Sequence, residues 1–550
     1  MKAAIRISEM NDKKISTCVR PGGTFIYGIH KPSYSVANRR IDSQKAFLGR
    51  SEEGGAVYNE INLPNGDVVA EDSDWVFEIA NPLPFKGVTY INKRWADASA
   101  ESPKRFHLPA AKAVSLHRTL TECGIEKTLI AALPAPLQLA LATTSTDPRD
   151  LIELAHISCE MIFEGNTPIG LVYGEEAGGR IRAKIHNKLL LEAVANNIHL
   201  PAAYKIAMVI RPGAQGASPI TGEWREGESH AYEYLRTNSY IPGGHYAANM
   251  AEDAIRYEMK DFSGADIRGL RRLYYQRSFI RLGSELDLSL TEGAALMTGE
   301  EIEALRLQIL QNMDTPSTLK SKTSLWGWNF GFDYAPSAYR LHASHQQIHQ
   351  QYAMIPRQVT AYTGFEQLAA EELESYACGD LIAPIIDAYH ELYQRDYFSD
   401  YLQAIEENKR LDGRDDLETD LVIWSNEWAV LFVPKAQTSQ WELQVMTRPD
   451  ANARFVGNIL EADEKTRDAL DTGILTAQKA LARLGAKMVT SIEYSKAIGQ
   501  GRNQPIIYAL LPRLPESPGA FSEAQMRFIN GHYPEDFAAA CRNALQGADL

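Results

Sequence analysis

Residues 324–356 read SLWGWNFGFDYAPSAYRLHASHQQIHQQYAMIP, and this stretch decides how the rest of the chain is interpreted. Aromatic residues occupy every second position at its start, and the side chains of a β-strand alternate between two faces. We therefore predict a strand with one aromatic face, made of Trp326, Trp328, Phe330 and Phe332. Turn-forming residues then interrupt the alternation and predict a loop, namely Gly331, Asp333, Pro336 and Ser337.

The chain after this loop fits two geometries. If it is a strand, one face carries His345, Gln347 and His349, and the opposite face carries Ile348, Tyr352 and Met354. As a helix from Pro336 to Pro356, its apolar stripe is Leu341, Ile348, Tyr352 and Ile355, and its clustered histidines are His342, His345 and His349. The aromatic strand before the loop favours the strand. A strand here gives a row of polar, proton-handling groups backed by an apolar face.

The same residues resemble the active-site segment of a known family. Asn329-Phe330-Gly331, a loop and His345-Gln346-Gln347 are similar to the Asn-x-Gly, small-residue loop and His-x-His-x-Gln of the galactose-1-phosphate uridylyltransferase and dinucleoside polyphosphate phosphorylase-like branch of the histidine-triad superfamily. The resemblance implies that His345 attacks the α-phosphate of a nucleotide and that Gln347 hydrogen-bonds the phosphate. The residues that we assign to substrate binding are Asn329, Ser337, Arg340 and His349.

The segment departs from the family pattern in two places. Ala343 stands where the family has its first histidine, and His342 lies one position away. The spacing from Asn329 to His345 is about one helical turn longer than in the family, a difference that a loop absorbs at small cost.

Two other segments extend the resemblance. A strand, a turn and a strand over 75–94, then a helix over 109–123, resemble the opening of a histidine-triad half-domain. Residues 421–512 resemble the second half of the uridylyltransferases, which lacks the nucleophile and completes the sugar-phosphate pocket. The positions of that family's closing-strand histidines hold Ile506, Tyr508 and Leu510, so we expect no metal site of that family's kind.

We therefore predict an α+β fold with two histidine-triad-like half-domains, built of antiparallel sheets with helices, and a large mixed insertion. The predicted divisions are N-terminal strands and the first part of the catalytic half at 1–124, the insertion at 125–320, the catalytic strand segment and following helices at 321–410, and the second half at 411–550.

Three smaller predictions concern the segments between these landmarks. Asn65-Gly66 predicts a hairpin between 61–63 and 68–69, and residues 204–211 predict a buried strand. A basic helix is predicted at 261–281. Its residues Arg268, Arg271 and Arg272 either line a phosphate pocket or, in the simpler interpretation, lie on a solvated surface.

Composition limits the classes of function. The 550-residue chain has a net charge of −14, which argues against nonspecific nucleic-acid binding because that requires clustered cations. No stretch approaches the ~20 apolar residues that span a bilayer, and the amino terminus lacks the apolar core of a signal peptide. The five cysteines are scattered without a Cys-x-x-Cys pair. We expect a cytoplasmic protein without membrane contact, cofactor or metal, and the sequence leaves a homodimer open.

The first hypothesis for function is an enzyme, a nucleotidyltransferase or phosphorylase. Its substrate would be a nucleotide sugar or a dinucleoside polyphosphate, and its intermediate a nucleotidyl-histidine. The alternative is a catalytically degenerate module that binds a nucleotide or a protein partner, and it is motivated by the histidines missing at Ala343 and on the closing strand. A weaker third hypothesis, a zinc protein, requires that the three histidines lie on a helix.

Overall fold

The computed structural model describes residues 7–10, 13–71, 73–102, 106–109, 112–125, 129–176, 178–195, 197–208, 263–290, 297–313, 315–331, 349–362, 370–513 and 520–546. Its strands are β1 Ile7–Met10, β2 Lys13–Ser16, β3 Val19–Arg20, β4 Thr24–Phe25, β5 Gly28–His30, β6 Tyr34–Val36, β7 Phe47–Arg50, β8 Ala56–Tyr58, β9 Val68–Ala70, β10 Val76–Ala80, β11 Val88–Asn92, β12 Met161–Glu164, β13 Thr167–Leu171, β14 Tyr173–Glu176, β15 Arg180–Ala183, β16 Ser321–Gly331, β17 His349–Pro356, β18 Gln358–Tyr362, β19 Ala370–Glu374, β20 Val422–Ser425, β21 Ala429–Phe432, β22 Leu443–Thr447, β23 Met488–Tyr494, β24 Ile507–Pro512 and β25 Arg527–Asn530.

The α-helices of the described residues are interleaved with these strands along the chain. They are α1 Arg40–Gln44, α2 Lys93–Ala100, α3 Leu116–Glu122, α4 Leu129–Ala132, α5 Ala135–Thr144, α6 Pro148–Ser158, α7 Lys188–Ala195, α8 Ala202–Ala207, α9 Gly264–Glu285, α10 Gly299–Asn312, α11 Ala383–Tyr393, α12 Tyr397–Glu406, α13 Glu464–Arg483, α14 Ala520–Ala524 and α15 Pro534–Leu545. The mixture of small antiparallel sheets and helices agrees with the predicted α+β class. None of the described helices has both the length and the apolar content needed to cross a membrane.

A seven-stranded antiparallel sheet is the centre of the fold, with strand order β17-β16-β23-β24-β22-β21-β20. Its first two strands, β17 and β16, come from residues 321–356, and the other five come from residues 422–512. Every residue of β21 and β22 is buried, which shows that both faces of the sheet are covered at these strands. Strands covered on both faces need apolar residues at successive positions rather than strict alternation.

Two hydrophobic cores lie against the two faces of this sheet. The first contains Trp326, Val445 and Tyr508 from the sheet, together with Leu270 of α9 and Ile474 of α13. The second contains the opposite-facing residues of the same strands, and its members include Phe432, Met446, Ala509, Tyr397 and Phe398. A four-stranded sheet of order β25-β11-β10-β5 contributes Phe77, Ile79 and Ile91 to the second core.

Local sequence signals explain the helix α13 that covers the first face. Asp463 is its N-cap and accepts a hydrogen bond from the backbone N–H of Thr466. Buried residues recur at spacings of four, three and four, at Leu470, Ile474, Ala477 and Leu481. The predicted strand, turn and strand before residue 94 are confirmed, as β10 and β11. The helix predicted over 109–123 is shorter than predicted, because its described helical residues are Leu116–Glu122, with Ser115 rather than the proline at 109 as the capping residue.

Two of the smaller predictions are wrong in the described residues. Residues 204–207 lie in the helix α8 rather than a strand, because a short apolar run fits either element and Pro201 favours a helix start; residues 209–211 lie outside the described ranges. The Asn65-Gly66 hairpin does not form as predicted, since Val68 and Val69 pair with β6 and residues 60–62 form a turn of 3-10 helix.

A buried histidine gives the fold a predicted pH dependence. His532 packs beside Phe106 and Phe537, and its Nε2 lies 3.0 Å from Oε1 of Gln437. Burial lowers the pKa of His532 to about 3, whereas a histidine in an unfolded chain titrates near ~6.5. Between these values the unfolded chain binds a proton that the folded chain does not. Stability should therefore fall as pH drops through this window.

The substitution His532→Gln keeps a hydrogen-bond donor and removes this titration. From pH 7 to pH 5 the free energy of unfolding of the wild type should fall by about 2 kcal/mol more than that of the variant. Urea unfolding at the two pH values measures the difference, with His390→Gln at an exposed position as the control. If the free energy of unfolding fell equally in the wild type and in His532→Gln, the titration of His532 would not be the cause of the pH dependence.

Candidate functional site

The strand pair β16–β17 carries the candidate site. The register pairs Asn329 with His349, Trp328 with Gln350 and Trp326 with Tyr352. Residues 349–356 are thus a strand, as the aromatic strand before them predicted. The helical alternative is wrong for its described members, His349, Tyr352 and Ile355, because all three lie in β17.

The two faces of β16 have different environments. Trp326 and Trp328 are buried, with ring centroids 4.8 Å apart, and Trp326 also meets the ring of Tyr508 edge-on at 5.5 Å. Asn329 lies on the opposite face, because strand side chains alternate. The two tryptophans of the predicted aromatic face are therefore part of the core, and the polar side chain of Asn329 is on the face away from them. Phe332 and the side chain of Phe330, the other members of that predicted face, lie outside the described residues.

A chain of hydrogen bonds crosses from Asn329 to the closing strand. The Thr490 hydroxyl donates to Oδ1 of Asn329 at 2.7 Å, and Nε of Arg513 donates to the Thr490 hydroxyl at 3.1 Å. Asn329 and Thr490 face each other across β16 and β23, and Arg513 directly follows β24. Thr490 thereby links the Asn329 amide to an arginine at the same strand end.

Sequence reasoning missed Thr490 and Arg513. The strand that carries Thr490 has a detectable sequence signal, because residues 488–494 read MVTSIEY, a run rich in β-branched residues. The partnership itself carries no local signal, since 161 residues separate Thr490 from Asn329.

A buried ion pair occupies the neighbouring part of this sheet. Lys86, from the turn between β10 and β11, bonds Glu442, which also accepts from Gln444 at 2.9 Å and from the Thr438 backbone at 2.7 Å. Burial alone would raise the pKa of Glu442, but Lys86 and these donors lower it below its usual value. Lys86 is therefore engaged in holding the two sheets together rather than available to a phosphate.

The other predicted site residues fall outside the described ranges. These are His345, Gln347, Ser337 and Arg340, all within 332–348. Of the predicted set, the structure brings together Asn329 and the backbone of His349.

The prediction for the basic helix needs correction at one residue. Arg271 neither lines an open pocket nor faces solvent: it is fully buried, with Nε 2.7 Å from Oδ1 of Asp471 and Nη2 2.7 Å from the hydroxyls of Tyr275 and Tyr508. Its guanidinium carbon lies 4.6 Å from the ring of Trp326. Arg271 thus packs against the aromatic face of β16. Arg268 and Arg272 are exposed.

A cavity of about 1160 Å³ lies at the other end of the seven-stranded sheet and contains none of the predicted residues. Three of its basic side chains are paired with carboxylates, in the pairs Arg448–Glu406, Lys496–Glu461 and Arg502–Asp387. These three charges are already neutralised, and the fourth basic residue of the cavity, Arg454, donates its backbone N–H to Oδ1 of Asp450 and so lies beside a carboxylate as well. The cavity therefore gives no comparable case for a phosphate site.

The closing strand gives no metal site among the described residues. Ile506, Tyr508 and Leu510 are fully buried in the first core. No group of three or more histidine, cysteine, aspartate or glutamate side chains in the described ranges is arranged to hold a metal ion.

Comparison with known proteins gives matches among solved structures. No family model and no curated protein sequence match the chain. An ADP-glucose phosphorylase from Arabidopsis thaliana with bound ADP-glucose is 13% identical with a TM-score of 0.33, covering 54% of this chain and 71% of that chain. A uridylyltransferase is 11% identical with a TM-score of 0.32, covering 46% and 70%. A galT-like protein from Arabidopsis thaliana is 12% identical with a TM-score of 0.33, covering 54% and 74%.

These matched proteins are of the branch that the sequence resembles.

Proposed function

We propose that the chain is a nucleotidyltransferase or phosphorylase that acts on a nucleotide sugar or a dinucleoside polyphosphate, with His345 as the nucleophile. The observation that carries the proposal is the polar chain Asn329–Thr490–Arg513, at the strand end where β17 enters the sheet. His345 and Gln347 precede His349 by four and two residues. The proposal places them at this same strand end.

The chemistry is covalent catalysis in two steps. A nitrogen of His345 forms a bond to the α-phosphorus, and the bond from phosphorus to the bridging oxygen breaks, so that the sugar phosphate or nucleotide leaves with the electron pair. An oxygen of an acceptor phosphate then attacks the same phosphorus, and the phosphorus–nitrogen bond breaks. The imidazole must be neutral to attack, so its second nitrogen needs a proton and an acceptor for it.

The surrounding groups are assigned to charge stabilisation. Negative charge grows on the equatorial phosphate oxygens, and fixed donors aimed at them lower the barrier. Gln347 supplies an N–H without an acidic proton, which suits an intermediate that is intercepted by phosphate rather than water. Arg513 supplies a guanidinium, and we assign Ser337, Arg340 and His349 to substrate binding.

A labelling experiment tests the proposed intermediate. The protein is incubated with ADP-glucose or a uridine nucleotide sugar labelled at the α-phosphate, and then denatured. A phosphorus–nitrogen bond should give an acid-labile label on the wild type, and His345→Ala should carry none. No label from nucleotide sugars or dinucleoside polyphosphates would contradict the proposal.

The role of Thr490 gives a separate prediction. Thr490→Val removes the hydroxyl that links Asn329 to Arg513 and should lower kcat/KM by about tenfold, the value of one lost hydrogen bond. Thr490→Ser keeps the hydroxyl and should stay near the wild type. Steady-state kinetics of the two variants measures the difference. Equal activity in Thr490→Val and the wild type would remove this polar chain from the site.

A second candidate function is a nucleotide-binding module without turnover. Its support is the core position of Ile506 and Leu510, where the family has histidines, and the alanine at 343. Calorimetry distinguishes the two candidates. Nucleotide binding that is unchanged by His345→Ala, without any product, would favour the module, and measurable phosphorolysis would exclude it.

A further inference from the structure

The cavity of about 1160 Å³ lies apart from the candidate site. One of its walls is the segment after β22, residues 448–456, and another comes from the connection between β23 and β24, at residues 496 and 500–503. Because β16 and β23 are antiparallel, the connection from β16 to β17 leaves one edge of the seven-stranded sheet and the connection from β23 to β24 leaves the opposite edge. The cavity is therefore a separate place on the sheet from the one around Asn329.

Hydrogen bonds join these two walls of the cavity. Oδ1 of Asn503 accepts from the backbone N–H of Phe455 at 2.8 Å, and its Nδ2 donates to the backbone oxygen of Ala453 and to Oδ2 of Asp396, each at 2.9 Å. Asp396 is the N-cap of α12, so these contacts also fix the walls to a helix of the second core. The cavity is thus preformed, as most sites for small ligands are.

The charges on the cavity walls balance one another. Of the nineteen residues that line the cavity, four are acidic and four are basic. The guanidinium of Arg502 makes two contacts with Asp387, with Nε 2.9 Å from Oδ1 and Nη2 2.8 Å from Oδ2. A charged ligand would have to separate such pairs, which costs free energy, whereas a neutral ligand leaves them intact.

The paired groups suit a ligand that carries hydroxyl groups. Nη1 of Arg502 donates to Oε1 of Gln500 at 3.0 Å, and Nζ of Lys496 lies 3.0 Å from Oε1 of Glu461. Guanidinium and carboxylate groups each make several hydrogen bonds, so one ion pair does not exhaust either of them. A sugar hydroxyl both donates and accepts, and therefore fits walls on which donors and acceptors lie side by side.

Aromatic side chains complete the walls. Trp428 is half-buried and lines the cavity together with Phe455. The C–H face of a sugar ring packs on an aromatic ring, and tryptophan offers a large area for this contact. Twelve of the nineteen lining residues are polar or charged, which does not suit an apolar ligand.

We propose that this cavity binds a neutral oligosaccharide, with Trp428 against a sugar ring and with Glu461, Gln500 and Arg502 hydrogen-bonded to its hydroxyls. The cavity volume exceeds the roughly 300–1,000 Å³ of most small-ligand sites, so it has room for more than one sugar unit. The proposal is independent of the proposed chemistry at His345, since it uses none of the same residues.

Calorimetric titration of the full chain with neutral trisaccharides of glucose, galactose and mannose tests the proposal. At least one of them should bind with a Kd below about 1 mM. Trp428→Ala should weaken this binding by at least about tenfold, because the aromatic contact is lost. The matched control is Trp95→Ala, which removes a tryptophan that is 52% exposed outside the cavity and should bind as the wild type does.

A second variant covers the case in which Trp428→Ala does not fold. Gln500→Ala removes an amide that lies outside both hydrophobic cores, and should weaken binding by several-fold. His345→Ala should bind the trisaccharide as the wild type does, whether or not the proposed transferase activity exists. The proposal is overturned if none of the trisaccharides binds at about 10 mM, if binding is unchanged in both cavity variants, or if His345→Ala abolishes it.

Discussion

His345→Ala is expected to lower kcat/KM for the nucleotide sugar by at least ~10³-fold, because without the imidazole there is no group to form the covalent intermediate. The residual rate would come from substrate binding and the donors around the phosphate. Steady-state rates of nucleotide-sugar cleavage by phosphate measure the effect.

The control for this variant is His390→Ala, which removes a histidine at an exposed position of α11 and should leave kcat/KM unchanged. Circular dichroism and the unfolding midpoint establish that both variants fold. A His345→Ala protein that keeps more than about a tenth of the wild-type rate is incompatible with a nucleophilic role, because such variants lose orders of magnitude.

Lys435→Met is expected to lower the free energy of unfolding by about 3–5 kcal/mol. Lys435 and Glu535 are both fully buried and form an ion pair. Lys435 also donates to Oδ1 of Asn408 and to the backbone oxygen of Lys409, each at 2.7 Å. Burial lowers the pKa of Lys435, and Glu535 opposes that shift. Without the ammonium group, the Glu535 carboxylate stays buried and uncompensated.

The matched double variant separates the pair from the packing. Lys435→Met/Glu535→Met removes both charges, and should recover most of the loss because apolar replacement of a whole buried pair is often neutral. The exposed pair Lys45–Glu60 is the comparison, and Lys45→Met should change stability by less than about 1 kcal/mol. Chemical denaturation measures the free energy of unfolding of all three variants. A small loss in Lys435→Met would show that the Glu535 site accepts water or a proton at little cost.

Elements with strong local signals could be predicted from the sequence. The alternation of Trp326 and Trp328 predicted β16, and the strand, turn and strand pattern over 75–94 predicted β10 and β11. Each signal lies within a few residues of the element that it specifies. The pattern is enough because the apolar face of each element is buried in the fold.

Elements and contacts that depend on distant partners could not be predicted. In the sequence, Arg271 is one of several cations on a charged helix. Its burial depends on Asp471, which lies 200 residues later in the chain. Residues 204–207 illustrate a second difficulty, because an apolar run of that length fits both a helix and a buried strand.

The residues of the candidate site fall into the same two groups, those identified from the local sequence and those that depend on distant partners. The resemblance identified Asn329, and the structure places it in β16 opposite His349. Thr490 and Arg513 come from strands near the end of the chain, and only the sheet order brings them to Asn329. The roles of His345 and Gln347 are proposals that follow from the resemblance and from their position in the chain before β17.

Mass spectrometry of the intact protein tests the central claim most directly. After brief exposure to ADP-glucose or a uridine nucleotide sugar without acceptor phosphate, the wild type should gain the mass of one nucleoside monophosphate, and peptide analysis should locate it on His345. Addition of phosphate should remove the added mass. An unmodified protein with every donor, or an adduct located at a residue other than His345, would contradict the account.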